Sequence, residues 1–260
     1  MKGKVYLVGA GPGDPELLTV KAVRILKSAD VVLHDALVDE GILVLVRPHA
    51  LLVDVGKRAG DKRIGQEGIN RMLVDFAASA KVVVRLKGGD PLIFGRAAEE
   101  MAALRNAGIE FEIVPGITAA VAASAQAQIP LTDRDGPSSM VFLTAQHAIG
   151  RGPAEITHLV AAGSTLAIYM PNGRYADVAK QALAAGLSPR TPCLVVSNAT
   201  RPNQDLHWSD VAGLRSMSQP TAPALLIIGS VARRHGDMIS AVSAVYAANK
   251  TALESAHQGP

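Results

Sequence analysis

The strongest constraint on the fold is a rhythm in which short β-rich runs alternate with longer stretches of helical periodicity. Residues 5–8, 31–33, 51–55, 82–85 and 111–114 read as strands, and between them 15–28, 40–46, 66–78 and 97–107 read as helices. Strands separated by helices pair in parallel, because the intervening helix carries the chain back along the sheet. The pattern therefore predicts an α/β protein whose first sheet is mainly parallel and covered on both faces. Pro115-Gly116 then breaks the rhythm, and Thr118 stands where it can cap the Ala-rich helix that follows. Later strands are expected at 140–144, 165–169, 193–197 and 224–228, with 204–208 as a hairpin-like addition after the turn signal Pro202-Asn203. The Pro-, Asp- and Gly-rich stretch 130–138 leads into this second set. Two α/β domains follow, 1–117 and 118–245, and 246–260 is expected to be a helix fraying into a tail.

Composition narrows the class. With 48% apolar residues in a 260-residue chain, the core needs neither metal nor disulfide to hold it. A single cysteine, Cys193, excludes an internal disulfide and a cysteine-rich zinc site, and its apolar neighbours make it a core residue. No apolar stretch is long enough for a membrane span and no secretory leader is visible, so a soluble cytoplasmic protein is expected. A net charge of +3 demands no nucleic-acid partner, and 3% aromatics argue against base-stacking platforms. The positive residues that matter are Lys57, Arg58, Lys62 and Arg63, which cluster on one expected loop.

Five segments carry chemistry, each at the end of an expected strand. Gly9-Ala10-Gly11-Pro12-Gly13-Asp14 allows a sharp turn and close approach of a ligand. It fits a nicotinamide dinucleotide site poorly, because the third glycine of that fingerprint is Asp14 and Pro12 removes an amide donor. Leu33-His34-Asp35-Ala36-Leu37-Val38 puts a carboxylate where open α/β sheets place their ligand crevice. Asp35 can move a proton there; a loop or cap carboxylate is the bland alternative. Val55-Gly56-Lys57-Arg58-Ala59-Gly60 suits an acidic ligand, or is a solvated basic turn. The run from Arg85 to Arg96 contains Gly88-Gly89-Asp90-Pro91, an exposed backbone with a fixed carboxylate between strand and helix. Val114-Pro115-Gly116-Ile117-Thr118-Ala119-Ala120 offers a bend, a hydroxyl and small residues. His34 and His147 read as polar loop residues rather than bases.

Taken in this order and spacing, the five segments closely resemble the tetrapyrrole (corrin/porphyrin) methylases, and among them the branch that methylates uroporphyrinogen III. The resemblance runs from about residue 5 to 231. The general motifs are VGAGPGD, GGDP and VPGITA. Asp35–Val38, the GKRAG of Gly56–Gly60, Gln66-Glu67-Gly68-Ile69-Asn70 and Ile129–Arg134 point to the branch. No dehydrogenase or ferrochelatase module is expected ahead of it, as in a stand-alone form. The resemblance implies a two-domain α/β homodimer with a mainly parallel N-terminal sheet, a mixed C-terminal sheet and an active site in the trough between domains. It assigns Pro12, Gly88, Gly89, Asp90, Ile93, Thr118, Ala119, Met170 and Ala199 to S-adenosyl-L-methionine, with no metal. It makes Asp35 the proton acceptor and Lys57 the proton donor, the latter requiring burial or neighbouring cations to lower its pKa. Arg58, Lys62, Arg63 and Arg134 are then candidates to seat substrate carboxylates.

Several positions depart from the family pattern. His34 and Ala36 flank Asp35 where Tyr and Arg are usual, and Ala97-Ala98 replace a Gly pair. Pro171 follows Tyr169-Met170 in place of Gly, and Ala199 also replaces a glycine. The missing arginine beside Asp35 matters most, because it removes a partner for a substrate carboxylate. The implied reaction is the transfer of two methyl groups to rings A and B, giving precorrin-2. A methylase of a later precorrin, a methylase of RNA and a non-catalytic tetrapyrrole or S-adenosylmethionine sensor are the rivals. Retention of Asp35, Lys57 and the GGDP loop favours the enzyme.

Overall fold

The Val-rich runs of the first half become β1 (Lys4–Gly9), β2 (Val31–His34), β3 (Leu51–Asp54), β4 (Val82–Lys87) and β5 (Phe111–Val114). The computed structural model describes residues 2–56, 64–150 and 153–233. The five strands form one sheet in the order β3-β2-β4-β1-β5, and every neighbouring pair is parallel. β4 is buried along almost its whole length, as the continuous apolar run of a doubly covered parallel strand requires. Side chains alternate between two cores. Val8, Val32, Val84 and Leu86 pack with Ile25 and Leu26 of α1 (Val20–Leu26) and Ile42 of α2 (Glu40–Leu43). On the opposite face Leu7, Leu33 and Val83 pack with Ile69 and Leu73 of α3 (Gln66–Ser79) and Ala97 and Leu104 of α4 (Ala97–Asn106).

The helix expected over 15–28 is interrupted. A 3-10 turn at Pro15–Leu17 is capped by the Asp14 carboxylate, which accepts from the Glu16 amide at 2.8 Å. α1 then restarts behind Thr19, whose hydroxyl accepts from the Ala22 amide at 3.1 Å. Two caps in close succession override a continuous apolar period. α2 is shorter than the 40–46 reading: beyond Leu43 the bonds tighten, with Leu45 N to Ile42 O and Val46 N to Leu43 O at 3.1 Å.

α5 (Ala119–Ala127) follows β5, and the carbonyl of Thr118 accepts from the amides of Val121 at 3.1 Å and Ala122 at 3.2 Å. The chain divides into two units. The first is Met1–Ala123 with Ser197–Asp205 and Thr221–Pro223; the second is Ser124–Val196, Leu206–Pro220 and Ala224–Pro260. The second sheet contains β6 (Met140–Thr144), β7 (Thr165–Tyr169), β8 (Pro192–Ser197), β9 (Asp205–Asp210) and β10 (Ala224–Ile228), in the order β6-β7-β10-β8-β9. It is mixed, since β7 pairs in parallel with β6 and antiparallel with β10. α6 (Ala145–Gly150), α7 (Pro153–Ala161) and α8 (Tyr175–Ala184) cover it. α8 buries Tyr175, Val178, Ala179 and Ala182, the spacing of one helix face, against Ile168, Val195 and Leu226. Cys193 is buried in this core, and burial pushes its thiol pKa well above the ordinary value.

Candidate functional site

A parallel sheet sends every strand's carboxyl end to one edge, so the five loops that the sequence singles out emerge together in the first unit. Three of them interlock through backbone. Gly11 and Gly89 exchange bonds, Gly11 N to Gly89 O at 3.1 Å and Gly89 N to Gly11 O at 2.7 Å. Asp90 ties the third, accepting from the Gly116 amide at 3.0 Å and, with its other oxygen, from Leu92 at 2.8 Å. A Cβ at Gly9 would lie 2.6 Å from Gly116 N and 2.7 Å from Gly89 O, so only glycine permits this crossing. At Gly88 and Gly89 the nearest atoms to an added Cβ lie at 3.5 and 3.9 Å. These are ordinary contacts, so unlike Gly9 neither position is closed to a side chain by a clash, although the φ of 67° at Gly89 favours glycine.

The segment Ser197–Asp205 completes this edge of the first unit. Thr200 Oγ1 accepts from the Asp14 amide at 3.1 Å, and the Arg201 guanidinium donates to the carbonyl of Leu37. Asn198 and Thr200 have φ of 49° and 67°, and Ala199 between them is not in the left-handed region. Alanine in place of the usual glycine is therefore unstrained at 199.

Beside the loops lies a cavity of about 370 Å³ lined by Asp35, Arg85, Lys87, Gln66, Phe94 and Arg96 among others. Arg85 and Lys87 share the face of β4 that carries Val83, so at the strand's end an apolar face becomes a charged one. Both are buried, as is Glu100 opposite them on α4, which is fully inaccessible. Glu100 Oε1 accepts from Arg85 Nε at 2.9 Å, Lys87 Nζ at 3.1 Å and Gln66 Nε2 at 3.3 Å. Arg85 Nη2 donates to the carboxylate of Asp35, which is about a third exposed (32%). Burial, and then the neighbouring Arg85 charge, push the Lys87 pKa below the ordinary lysine value, against the opposing pull of Glu100 and Asp35. Phe94 and Arg96 hold φ of 52° and 55°, a conformation rare for such side chains and typical of functional loops. Among the described residues no cluster of His, Cys, Asp or Glu is placed to hold a metal, and no helix is long and apolar enough to cross a membrane.

The profile of the tetrapyrrole (corrin/porphyrin) methylases matches residues 4–213. The chain belongs to this family. The chain is 45% identical over 235 residues to siroheme synthase 1 of Cronobacter sakazakii, a match covering 90% of this chain and 50% of that one. It thus spans about half the length of the curated relatives it matches. Among solved structures, the uroporphyrin-III C-methyl transferase of Thermus thermophilus complexed with S-adenosyl homocysteine is similar at TM-score 0.74 and 40% identity, covering 88% of this chain and 98% of that one. A cobalt precorrin-4 methyltransferase of cobalamin biosynthesis is similar at TM-score 0.75 and 30% identity, covering 88% and 96%. The α/β architecture, with a parallel first sheet and a mixed second one, agrees with the family expectation.

The structure places Pro12, Gly88, Gly89, Asp90, Ile93, Thr118, Ala119 and Ala199 in the first unit; the loops after β1, β4 and β5 contribute all but the last two, and Ala119 opens α5. Met170 stands in the second unit at the end of β7, exposed and with φ of 52°. Arg134 is exposed on the loop between α5 and β6, and His147 is on α6 rather than a loop. His34 ends β2, with Nδ1 3.3 Å from the Asp35 carbonyl. Lys57, Arg58, Lys62 and Arg63 lie outside the described residues; Gly56 and Ile64, on either side of that segment, both line the cavity. The sequence reading missed Arg85, Lys87 and Glu100 as site residues. The available signal was a charge at Glu100 within the apolar spacing Ala97, Glu100, Leu104 of α4, and two cations two positions apart on a buried strand.

Proposed function

We propose that the chain transfers methyl groups from S-adenosyl-L-methionine to uroporphyrinogen III, one on ring A and one on ring B, giving precorrin-2 and S-adenosyl-L-homocysteine. The observation that carries this reading is the cavity carboxylate of Asp35, at the carboxyl edge of a parallel sheet, in a chain so similar to a solved uroporphyrin-III C-methyl transferase. When bound, the co-substrate supplies an electrophilic sulfonium methyl whose leaving group is neutral, which a metal need not activate. The backbone of Gly88 and Gly89, in the loop after β4, is the proposed main-chain contact for that ligand. Asp35 accepts the proton released as the macrocycle rearranges, and Lys57 is the proposed donor. Arg58, Lys62, Arg63 and Arg134 would seat carboxylates of the substrate. Arg85 of β4 also stands beside Asp35, but it is buried and fully engaged by protein groups, so it does not take over the substrate-facing role of the arginine that Ala36 replaces. The enzyme is proposed to act as a cytoplasmic homodimer, which light scattering on the purified chain tests.

Anaerobic incubation with uroporphyrinogen III and S-adenosyl-L-methionine, followed by product mass and absorbance, is the deciding experiment. A gain of two methyls, lost in Asp35→Asn, supports the reading. A folded protein that binds S-adenosyl-L-methionine but adds no methyl sinks the substrate assignment and directs attention to later precorrins.

A further inference from the structure

The charged group behind Asp35 is more elaborate than a loop carboxylate needs. Every nitrogen of the Arg85 guanidinium has a partner: Nε meets Glu100 at 2.9 Å, Nη1 meets the carbonyls of Leu86 at 3.2 Å and Leu33 at 3.4 Å, and Nη2 meets Asp35. The Leu86 carbonyl also accepts from the Asp35 amide at 3.1 Å, so one strand end holds both the backbone and the side chain of Asp35. Glu100 brings an anion to a fully buried position, where a charge is costly unless paired. Its Oε1 takes three donors while Oε2 is buried with no partner among the described residues. An arrangement selected for stability alone would distribute those donors or replace the group with apolar side chains.

We propose that Arg85 and Glu100 are positioning residues for the proton-accepting carboxylate: Glu100 fixes the Arg85 fork, and the fork holds Asp35 in one orientation at the cavity wall. This rests on the reading of Asp35 as the proton acceptor. Lysine cannot replace Arg85 in this role, because a point charge does not bridge two carboxylates at fixed angles. The charged groups facing Asp35 among the described residues are Arg85 and Lys87 from β4 and Arg96 from the turn before α4, with His34 beside it on β2.

The test compares the full chain with Arg85→Met, Arg85→Lys and Glu100→Gln. Each variant is expected to lower kcat for methyl transfer by about 10–100-fold, with KM for S-adenosyl-L-methionine within about twofold, a small change on the scale of a tenfold free-energy step. In Arg85→Met the loss falls on kcat, and Arg85→Lys does not restore it, because a point charge does not hold the carboxylate at a fixed angle. The NMR chemical shift of the Asp35 carboxyl carbon, compared between parent and Arg85→Met at one neutral pH, reads the change in its surroundings without substrate, so it decides the proposal even if the parent does not methylate uroporphyrinogen III, an outcome that removes only the functional reading. An unchanged Asp35 carboxyl signal in Arg85→Met, or parental kcat in folded Glu100→Gln, overturns the proposal. So does failure of every variant to fold, which would make the network structural.

Discussion

The two sheets of this molecule solve the problem of a buried interior differently. In the second unit, β7, β8 and β10 carry the buried Leu166, Ile168, Cys193, Leu226 and Ile228, and the buried polar residues among its described ones, Ser124 and Thr165, are uncharged. In the first unit the interior is equally apolar until the carboxyl end of β4, where Arg85, Lys87 and Glu100 are buried together. Among the described residues these are the buried charges, and two of them, Arg85 and Lys87, line the cavity. The contrast teaches where buried charge is kept: one core dispenses with it, and the other gathers it beside a cavity.

The contrast breaks most sharply at Asp35. Asp35→Asn is expected to reduce methyl transfer by about 10²–10⁴-fold while the melting temperature stays close to that of the parent. Activity that survives this change would move the chemistry away from the cavity. Leu226→Ala reverses the pattern, costing about 2–5 kcal/mol in denaturant unfolding while kcat per folded molecule is unchanged. Coupled loss of kcat would show that this apolar core also shapes the site. Cys193→Ser buries a hydroxyl among apolar neighbours and costs about 1–3 kcal/mol. Because burial raises the thiol pKa, a disulfide reagent should label Cys193 only on unfolding.

The smallest effect concerns Asp30, which joins strands rather than substrates. It accepts from the amides of Val82 at 2.8 Å and Lys81 at 2.9 Å, and pairs with Arg47. The Val82 bond leads in lowering its pKa, with Lys81 and Arg47 adding to it against burial. Its stabilisation is therefore present above the unfolded carboxylate value and lost as pH falls through the lower folded value. Asp30→Asn should melt a few degrees lower at neutral pH and converge with the parent in strong acid. A constant difference across that range would assign the effect to packing.

Much of this was legible before any coordinates. β5, β6, β7 and β10 occupy the residues that their apolar runs mark, and β1 and β2 differ by at most one residue at an end. β9 is displaced to Asp205–Asp210 from the expected 204–208, because ladder pairing sets its ends. The helix over 15–28 failed because capping by Asp14 and Thr19 is decided by side-chain bonds that a periodicity count does not contain. The helices α6, α7 and α8 went unread, although Tyr175, Val178, Ala179 and Ala182 carry a clear helical spacing. Each of the five glycine- or charge-bearing loops was visible as a segment, and so was Asp35.

The sequence by itself determined the elements, their alternation and the chemistry-bearing loops, because periodicity and turn residues act over a few neighbouring positions. Only the tertiary structure decided what stands behind Asp35. Arg85 is 50 positions away in the chain and Glu100 lies a further 15 beyond it, so their contacts exist only after β2, β4 and α4 have packed. A local pattern records that a residue is charged. Whether that charge is solvated, or buried and paired with a carboxylate at a cavity wall, depends on which distant elements close around it.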